Sequence, residues 1–313
     1  MPPRLTIGLP VYNGERYLSQ AIETLLAQTF RDFELIIADN ASTDRTQTIC
    51  EQYQAEDRRI RYIRNAENVG AAKNFNNVYA LANGEYFKWA ACDDLIDERF
   101  LEECIQVLDR DPSVILAYSL ATKIDEDGRR TGTYDYPMRV DSPLPHLRFH
   151  DLIMVNHFCI AIFGVMRTAA LKNTPLIGAF VGSDRTLLAE LGLKGRLCEV
   201  QAYLFHRRDH PQASGRMYKV YDRRSWFDPS KRNAFVFPYW YVGLTYIRSV
   251  LRTPLSAVEK LRSIGVAFSW FLKRRKFLLE DIKAFILYAF PSSRQLSNSI
   301  KTFTGKKKRG GLL

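Results

Sequence analysis

Two adjacent aspartates, Asp93 and Asp94, follow the apolar stretch YFKWAA of residues 86–91. Neighbouring carboxylates repel each other, so such a pair is either solvated on a turn or held by something cationic. The pair therefore predicts a site that binds a cation at the end of a buried segment. The structural alternative is that both acids cap a helix that begins near Asp97.

Two other apolar runs also end in polar residues. Residues 5–11 lead to Tyr12 and the turn residues Asn13 and Gly14, and residues 33–38 lead to Asp39. Asp39 could accept the N–H of a pyrimidine base whose face lies on the Tyr12 ring. The turn opens a helix, and free backbone amides at a helix N-terminus can bind an anion. The alternatives are an ordinary strand-to-helix turn and helix capping by the Ser and Thr of residues 42–43.

The pattern of elements predicts how these residues are positioned. Apolar runs at 5–12, 33–40, 59–65, 86–91 and 114–124 alternate with stretches of helical periodicity. Such alternation predicts an α/β protein with a mostly parallel, doubly wound, Rossmann-like sheet, in which ligands bind at the carboxyl ends of the strands. The polar stretches 10–15, 39–45 and 92–94 are therefore expected to lie together.

The second half of the chain is less regular. Residues 125–150 are rich in Asp, Gly, Pro and Arg and are expected to form a long loop. Residues 158–167 and 196–208 are predicted strands, and residues 183–195 a short helix. From about residue 217 aromatic and basic residues mix, and helices are expected in 255–290, broken by KRRK and EDIK. No uncharged run reaches the length of about 18 residues needed to cross a bilayer.

The composition limits the class of protein. A hydrophobic content of 46% and a charged content of 25% are typical of a globular protein and exclude disorder throughout. The five cysteines are scattered and include no Cys-x-x-Cys, so neither a disulfide framework nor a thiolate metal site is indicated, and the reducing cytoplasm fits best. The N-terminus has no features of a secretory signal, so export is not expected.

Charge is distributed unevenly along the chain. Residues 1–200 contain 22 Lys and Arg against 28 Asp and Glu, whereas residues 201–313 contain 23 against 6. A basic surface attracts phosphate or anionic lipid. We therefore expect a cytoplasmic protein whose basic region lies at the inner face of a membrane, with a solvated basic helical cap as the alternative. No nucleic-acid-binding motif is present in the sequence, so no nucleic-acid partner is predicted.

Several ordered motifs resemble one enzyme family. The stretch PVYNGERYLSQAIETLLAQTFRDFELIIADNASTDRT, which begins at Pro10, resembles the N-terminal signature of the family 2 glycosyltransferases. The resemblance continues through NAENVGAAKNFN, KWAACDD, GSDRTLLAEL and HRRDHPQASGR, and covers residues 4–216. It implies the GT-A fold for a domain of residues 1–216, followed by a basic, aromatic-rich helical region of residues 217–313 with a mobile tail.

The resemblance also implies roles for single residues. The family places an Asp-x-Asp motif or a close variant at residues 91–94, and its last acid binds a divalent cation, Mg2+ or Mn2+, that bridges the donor phosphates. Ala91 stands at the first acid position, which leaves Asp93 as the direct ligand and Asp94 as its support or as a helix cap. The other implied roles are nucleoside binding by Pro10, Tyr12, Glu15 and Asp39, a nucleotide-sugar cleft lined by Asn68, Gly70 and Asn74, a catalytic base at Asp184, and His210 facing metal and diphosphate.

These implications predict an inverting glycosyltransferase. It would move a sugar from a nucleotide-diphosphate donor, expected to be a UDP-sugar, to a hydroxyl of a glycan or lipid-linked acceptor in polysaccharide or cell-envelope synthesis. One alternative is a nucleotidyltransferase of similar sheet, which would carry a loop rich in Gly and Lys or Arg where PVYNGERY stands. The other is a non-catalytic protein that binds a membrane or a polyanion.

Overall fold

A nine-stranded sheet forms the centre of the protein, whose structure is a computed structural model that describes residues 2–213, 224–231 and 237–289. The strands are β1 (Leu5–Val11), β2 (Phe33–Asp39), β3 (Ile60–Arg64), β4 (Tyr86–Trp89), β5 (Leu95–Ile96), β6 (Val114–Ile124), β7 (Arg130–Tyr134), β8 (Val165–Arg167) and β9 (Arg196–Arg208). Across the sheet their order is β3-β2-β1-β4-β8-β6-β9-β5, and β7 pairs with β6.

Most of these strands are parallel. Within the described residues, β1, β2, β3, β4, β6 and β9 run in one direction, and β5, β7 and β8 run in the other. All seven residues of β1 are buried, as expected for a strand covered on both faces. The predicted α/β architecture with a mostly parallel sheet is confirmed.

Helices cover both faces of the sheet. They are α1 (Leu18–Leu26), α2 (Thr46–Glu56), α3 (Ala71–Ala80), α4 (Phe100–Arg110), α5 (Pro145–Met154), α6 (Thr168–Leu171), α7 (Ser183–Lys194), α8 (Arg224–Phe227), α9 (Pro238–Arg252) and α10 (Ala257–Ala289). Side chains of β2 alternate between two hydrophobic clusters: Leu35 and Ile37 pack with α1 and α4, whereas Ile36 and Ala38 belong to the cluster of α3 and α7.

Three sequence predictions of local structure are wrong. Residues 125–150 are not one loop, because they contain β7 and the first half of α5. Residues 158–167 form a 3-10 helix at Ile160–Phe163 and only a three-residue strand, since an apolar run is buried in either conformation and its periodicity does not separate the two. Residues 257–289 form one unbroken helix, because Lys, Arg and Glu interrupt the apolar pattern but are good helix formers.

The C-terminal helices share the core of the sheet domain. Tyr246 of α9 and Trp270 of α10 belong to the same cluster as α3 and α7. Glu190 of α7 is fully buried and accepts hydrogen bonds from Ser249 Oγ (2.8 Å) and the Arg252 guanidinium (Nε, 3.0 Å). The predicted helical region is therefore present and anchored. Its proposed start at residue 217 and its tail beyond 289 lie outside the described residues.

A membrane-spanning helix is absent from the described parts of the chain, since none of those helices combines sufficient length with sufficient apolarity.

Candidate active site

The parallel strands bring the candidate residues to one edge of the sheet. Tyr12 follows β1, Asp39 ends β2, Asp93 follows β4 and His210 follows β9, and these four strands point the same way. The carboxyl ends of such strands form the usual ligand crevice. Only Gly195 separates the end of α7 from the start of β9, so α7 runs back along the sheet and its first turn, with Asp184, lies toward this edge.

The turn after β1 is fastened to the start of α2. Tyr12 is 46% exposed, and Asn13 adopts a positive φ of 51°. The backbone amides of residues 13–15 donate to side-chain oxygens of residues 42–46 over 2.9–3.1 Å. The amides of residues 13–15 are therefore not free to bind an anion, because protein acceptors already occupy them. The Tyr12 ring remains open to a ligand.

Pro10 and Glu15 support the same turn. Gly8 O accepts from Ala90 N, so Gly8 faces β4. Pro10 lies two residues further along the extended strand, and its nitrogen therefore faces the same side. The last residue of β1 that pairs with β4 is Gly8, so Pro10 lies beyond that ladder. The missing N–H therefore costs no ladder bond. The Glu15 carboxylate accepts from Arg45 N at 3.0 Å and so holds the chain just before α2.

Asp39 is fully buried, and protein donors surround its carboxylate. Oδ1 accepts from Ser42 N (2.8 Å), and Oδ2 accepts from Tyr62 Oη (2.8 Å) and the Arg64 guanidinium (2.9 Å). Burial and the bond to Asp39 raise the pKa of Tyr62 above its usual value, so the phenol remains a donor. Each carboxylate oxygen can accept two hydrogen bonds, so Oδ1 keeps one acceptor position.

The loop before α3 is held by asparagine side chains. Asn40 Nδ2 donates to Asn68 Oδ1 (2.8 Å), and Asn65 Nδ2 donates to both Asn40 Oδ1 (3.1 Å) and Asn74 Oδ1 (3.0 Å). Asn74 is only 2% exposed, and its Nδ2 donates to Ala38 O (2.8 Å). Both amide atoms of Asn74 are thus engaged with the protein, so this structure does not place them toward a phosphate, whereas Asn68 lies at the surface.

Gly70 stands where no other residue fits. Its φ is +86°, a left-handed conformation, and its amide donates to Asn68 Oδ1 over 2.9 Å. A Cβ at this position would lie 2.4 Å from Phe227 O and 2.8 Å from Pro229 Cδ. The segment that contains α8 therefore approaches this side of the predicted cleft closely.

The two acids after β4 have different environments. Asp93 Oδ2 lies 2.9 Å from His210 Nε2, and the Asp93 side chain is 29% exposed. Asp94 Oδ1 instead accepts from Arg208 N at 2.9 Å. Burial and the neighbouring charge of Asp93 raise the pKa of Asp94 to about 8. The raised pKa means that Asp94 takes up a proton more readily than an ordinary aspartate, which relieves the repulsion within the pair.

Neither acid caps the following helix. Asp97 Oδ1 accepts from Arg99 N at 3.1 Å, immediately before α4 begins at Phe100. Between the pair and this cap, the two residues of β5 pair with β9. The capping alternative for Asp93 and Asp94 is therefore wrong, and both acids instead face the segment at the end of β9.

Arg208 organises this segment, and the sequence analysis missed it. The side chain is 1% exposed, and its Nε donates to Asp93 O over 2.9 Å. Its other nitrogens donate to Glu126 O (2.8 Å) and Gln20 Oε1 (2.8 Å), and its guanidinium lies 4.5 Å from the centroid of the Tyr17 ring. Arg208 thus joins the ends of β4, β6 and β9 to α1. Its position within the stretch HRRDHP was its only sequence signal.

Asp93 and His210 suit a divalent cation. His210 is 6% exposed, its Nδ1 is buried without a hydrogen-bond partner among the described residues, and the Tyr17 ring packs against it at 5.0 Å. Mg2+ and Mn2+ take few protein ligands and complete their coordination with phosphate and water, and Mn2+ also accepts imidazole. The described residues contain no group of three or more His, Cys, Asp or Glu that could hold a metal ion. A site of one carboxylate and one imidazole would depend on the ligand's own phosphates.

Asp184 lies in the first turn of α7 and is partly buried. Its Oδ1 accepts from Arg185 N at 2.8 Å, and the Arg185 guanidinium donates to Val155 O (3.0 Å) and His157 O (2.5 Å). Burial and the charge of Asp184 raise the pKa of the Cys159 thiol, which therefore stays protonated beside the carboxylate. Gly182, at φ +88°, turns the chain into the helix.

Comparison with a family model identifies the chain. The model described as Glycosyl transferase family 2 matches residues 6–174, more than half of the sequence. The chain belongs to glycosyltransferase family 2. The match includes Tyr12, Asp39 and Asp93 and ends before Asp184 and His210, and the roles of all five residues stay predictions.

Curated relatives of this family 2 chain match over part of their length. Glycosyltransferase GlyG of Streptococcus pneumoniae is 32% identical over 117 residues, which cover 37% of this chain and 39% of that protein. Chondroitin synthase of Escherichia coli is 30% identical over 137 residues, which cover 44% of this chain and 20% of that protein. The chain thus spans less than half the length of these relatives.

Solved structures share the fold of the family 2 chain. TarS 1-349 of S. aureus in complex with UDP-GlcNAc superposes with a TM-score of 0.65 at 17% identity and covers 91% of this chain and 81% of that chain. Mannosyltransferase PcManGT from Pyrobaculum calidifontis, in complex with GDP-Man and Mn2+, gives a TM-score of 0.52 at 14% identity and covers 98% of this chain and 89% of that chain. At such identities the likeness concerns the fold, and it confirms the predicted GT-A fold.

Proposed function

We propose that the protein is an inverting glycosyltransferase that moves a sugar from a nucleotide-diphosphate donor, a UDP-sugar, to a hydroxyl of a glycan or lipid-linked acceptor. The contact between Asp93 and His210, at the same sheet edge as Tyr12 and Asp39, carries the proposal. Family membership and a related fold seen with UDP-GlcNAc support it. The catalytic domain would comprise residues 1–216, with residues 217–313 as its basic extension.

The ends of β1 and β2 would bind the nucleoside. The exposed Tyr12 ring offers a face for the base, and Asp39 Oδ1, which is fully buried in this structure, would accept the N–H of a pyrimidine once the ligand opens the turn above it. Pro10 and Glu15 would hold the turn that carries Tyr12. Asn68 and Gly70 would line the adjoining cleft, and Asn74 would keep their loop in place from below.

Asp93 and His210 would hold a divalent cation, Mg2+ or Mn2+, against the donor diphosphate. When bound, such a cation neutralises the charge that develops on the departing diphosphate. Arg208 Nε donates to Asp93 O and Arg208 N donates to Asp94 Oδ1, so Arg208 holds both acids in place and would leave the Asp93 carboxylate to the cation. This arrangement suits a motif in which Ala91 occupies the first acid position.

Asp184 would act as the general base. An acceptor hydroxyl is a poor nucleophile until its proton is removed, and Asp184 offers a carboxylate for that proton in the first turn of α7. Transfer of the hydroxyl proton to Asp184 would accompany attack on the anomeric carbon. A single displacement of this kind inverts the anomeric configuration.

The basic C-terminal region bears on where the enzyme would act. The basic C-terminal region would hold the enzyme at the cytoplasmic face of a membrane, where lipid-linked or nascent envelope polysaccharides occur. The excess of Lys and Arg after residue 200 supports this location. A nucleotidyltransferase is less well supported, because the amides after β1 are already bonded to residues 42–46.

A donor-hydrolysis assay tests the reaction. The full-length chain is incubated with MnCl2 and a panel of UDP-sugars and GDP-mannose, and released nucleoside diphosphate is measured. We expect release from a UDP-sugar, with loss in Asp184→Asn and no loss in the matched control Asp127→Asn, whose carboxylate is exposed. NMR recorded during the reaction, before the released sugar mutarotates, should show the anomer of inverted configuration forming first. Absence of release from every donor would contradict the proposal, and retained configuration would contradict the single displacement.

A further inference from the structure

Helix α10 carries an exposed apolar stripe, called here the α10 stripe. It consists of large hydrophobic residues that are 46–73% exposed: Val258, Leu261, Phe268, Leu272, Leu279 and Ile286. Their spacings of three, four and seven residues place them on one side of the helix. On the other side Trp270 and Leu278 are buried in the protein core. The helix is therefore apolar on two sides, of which the described chain covers one.

The exposed charges around the α10 stripe are mostly basic. The exposed basic residues of the helix are Arg262, Lys273, Arg275, Lys276 and Lys283, and its exposed acidic residue is Glu280. Arg275 stands three residues after Leu272 and four before Leu279, so it borders the stripe itself. An apolar face with a basic border is the pattern of helices that lie in the interface of an anionic bilayer.

We propose that the α10 stripe docks on an anionic lipid surface. Leu261, Phe268, Leu272 and Leu279 would enter the boundary between headgroups and acyl chains, while the lysines and arginines beside them meet lipid phosphates. The helix would lie in the plane of the surface, in agreement with the absence of a spanning helix in the described residues. The inference deepens the membrane location proposed above and rests on it, but the α10 stripe includes neither Asp93 nor Asp184, so a failure of vesicle binding would leave the transfer reaction untouched.

A second copy of the chain fits this face less well. In a pair of α10 helices the residues that flank the apolar seam would meet their counterparts, and here Arg262, Lys276 and Lys283 flank it. Like charges across such a seam destabilise helix pairing, and Arg275 would enter the contact as well. An anionic surface neutralises all of these charges at once.

Co-sedimentation of the full-length chain with vesicles tests the proposal. We expect binding to vesicles of phosphatidylcholine and phosphatidylglycerol and little binding to phosphatidylcholine alone. Phe268→Ser/Leu272→Ser should weaken partitioning at least about tenfold, because two large apolar side chains are lost from the interface. Lys276→Gln/Lys283→Gln should weaken it about fivefold for each charge, on anionic vesicles only.

Two controls make these outcomes decisive. Tyr203→Ser removes an exposed aromatic residue of β9, outside α10, and should leave partitioning unchanged. All three variants should keep the melting temperature and the donor hydrolysis of the unmodified chain, because the altered side chains are exposed. Equal partitioning of Phe268→Ser/Leu272→Ser and unmodified chain would overturn the proposal. So would a dimer in light scattering that this double variant converts to a monomer, since the face would then be an interface between copies.

Discussion

The two halves of the candidate site are built differently. In the nucleoside half, at the ends of β1 to β3, Asp39 and the asparagines around residue 65 bond to other protein groups. In the transfer half, at the ends of β4 and β9 and the start of α7, His210 Nδ1 and Ser183 Oγ are buried without hydrogen-bond partners among the described residues. Both halves are held by hydrogen bonds within the protein, but the second also keeps two buried polar atoms without partners among the described residues.

This difference predicts how substitutions act. Removing one partner of a buried hydrogen bond lowers the stability of the protein. Removing a group that contacts only the ligand lowers activity instead. Changes at the buried, paired residues of the nucleoside half should therefore lower both the melting temperature and donor affinity. Changes in the transfer half should leave the fold intact and lower turnover.

Asp184→Asn should have the largest effect on rate. Loss of the general base is expected to lower kcat by about 10² to 10⁴, equivalent to about 3–5 kcal/mol. Asparagine keeps the oxygen that accepts from Arg185 N, so the melting temperature should not change. Turnover and thermal unfolding measured on the same preparation check both statements. A large drop in melting temperature would contradict the expectation that changes in the transfer half leave the fold intact.

Asp93→Asn should act through the metal. We expect the Mn2+ concentration for half-maximal activity to rise and turnover to fall about 10² or more, because charge neutralisation of the diphosphate is worth several kcal/mol. EDTA should reduce the unmodified chain to a similar level, and added MnCl2 should restore it. Activity that is indifferent to both EDTA and Asp93→Asn would show that the transfer half does not use a cation.

Asp39→Ala tests the nucleoside half. Its removal leaves Tyr62 Oη and Ser42 N without their acceptor, and we expect the free energy of unfolding to fall by about 2–4 kcal/mol. UDP affinity, measured by calorimetry, should fall as well. Denaturant unfolding provides the stability value. A variant as stable as the unmodified chain would mean that these bonds do not hold the half rigid.

Tyr12→Ala should have the smallest effect and sharpens the comparison within one half. Tyr12 is 46% exposed, so its loss should leave stability unchanged. Base stacking on an aromatic ring is worth about 1–3 kcal/mol, and UDP affinity should fall accordingly. Tyr12→Phe, which keeps the ring, is the matched control and should bind UDP as the unmodified chain does. Equal affinity of Tyr12→Ala would exclude stacking at this position.

The sequence was most informative about features that depend on local pattern. Alternating apolar runs and helical stretches predicted a mostly parallel sheet, and the rule that ligands bind at strand ends predicted that Tyr12, Asp39 and Asp93 share one edge. The resemblance predicted that His210 belongs with Asp93, and the structure brings them to 2.9 Å. Continuous helix over residues 257–289 was missed because charged residues hid the helical period.

Other features depend on register between distant segments. Arg64 meets Asp39 because the two residues are paired across β2 and β3, which no spacing in the sequence reveals. Arg208 reaches Asp93 and Glu126 only because three strands end together. Asn74 was expected to reach a phosphate, but it is buried. Its position likewise depends on how α3 packs against the end of β2, where Asn74 Nδ2 donates to Ala38 O.

A crystal structure of the chain with UDP and MnCl2 tests the central claim most directly, because it locates both ends of the nucleotide. We predict the uracil ring on Tyr12 within hydrogen-bond distance of Asp39, and the diphosphate with Mn2+ beside Asp93 and His210. UDP bound elsewhere, or bound with its diphosphate away from Asp93, would contradict the account.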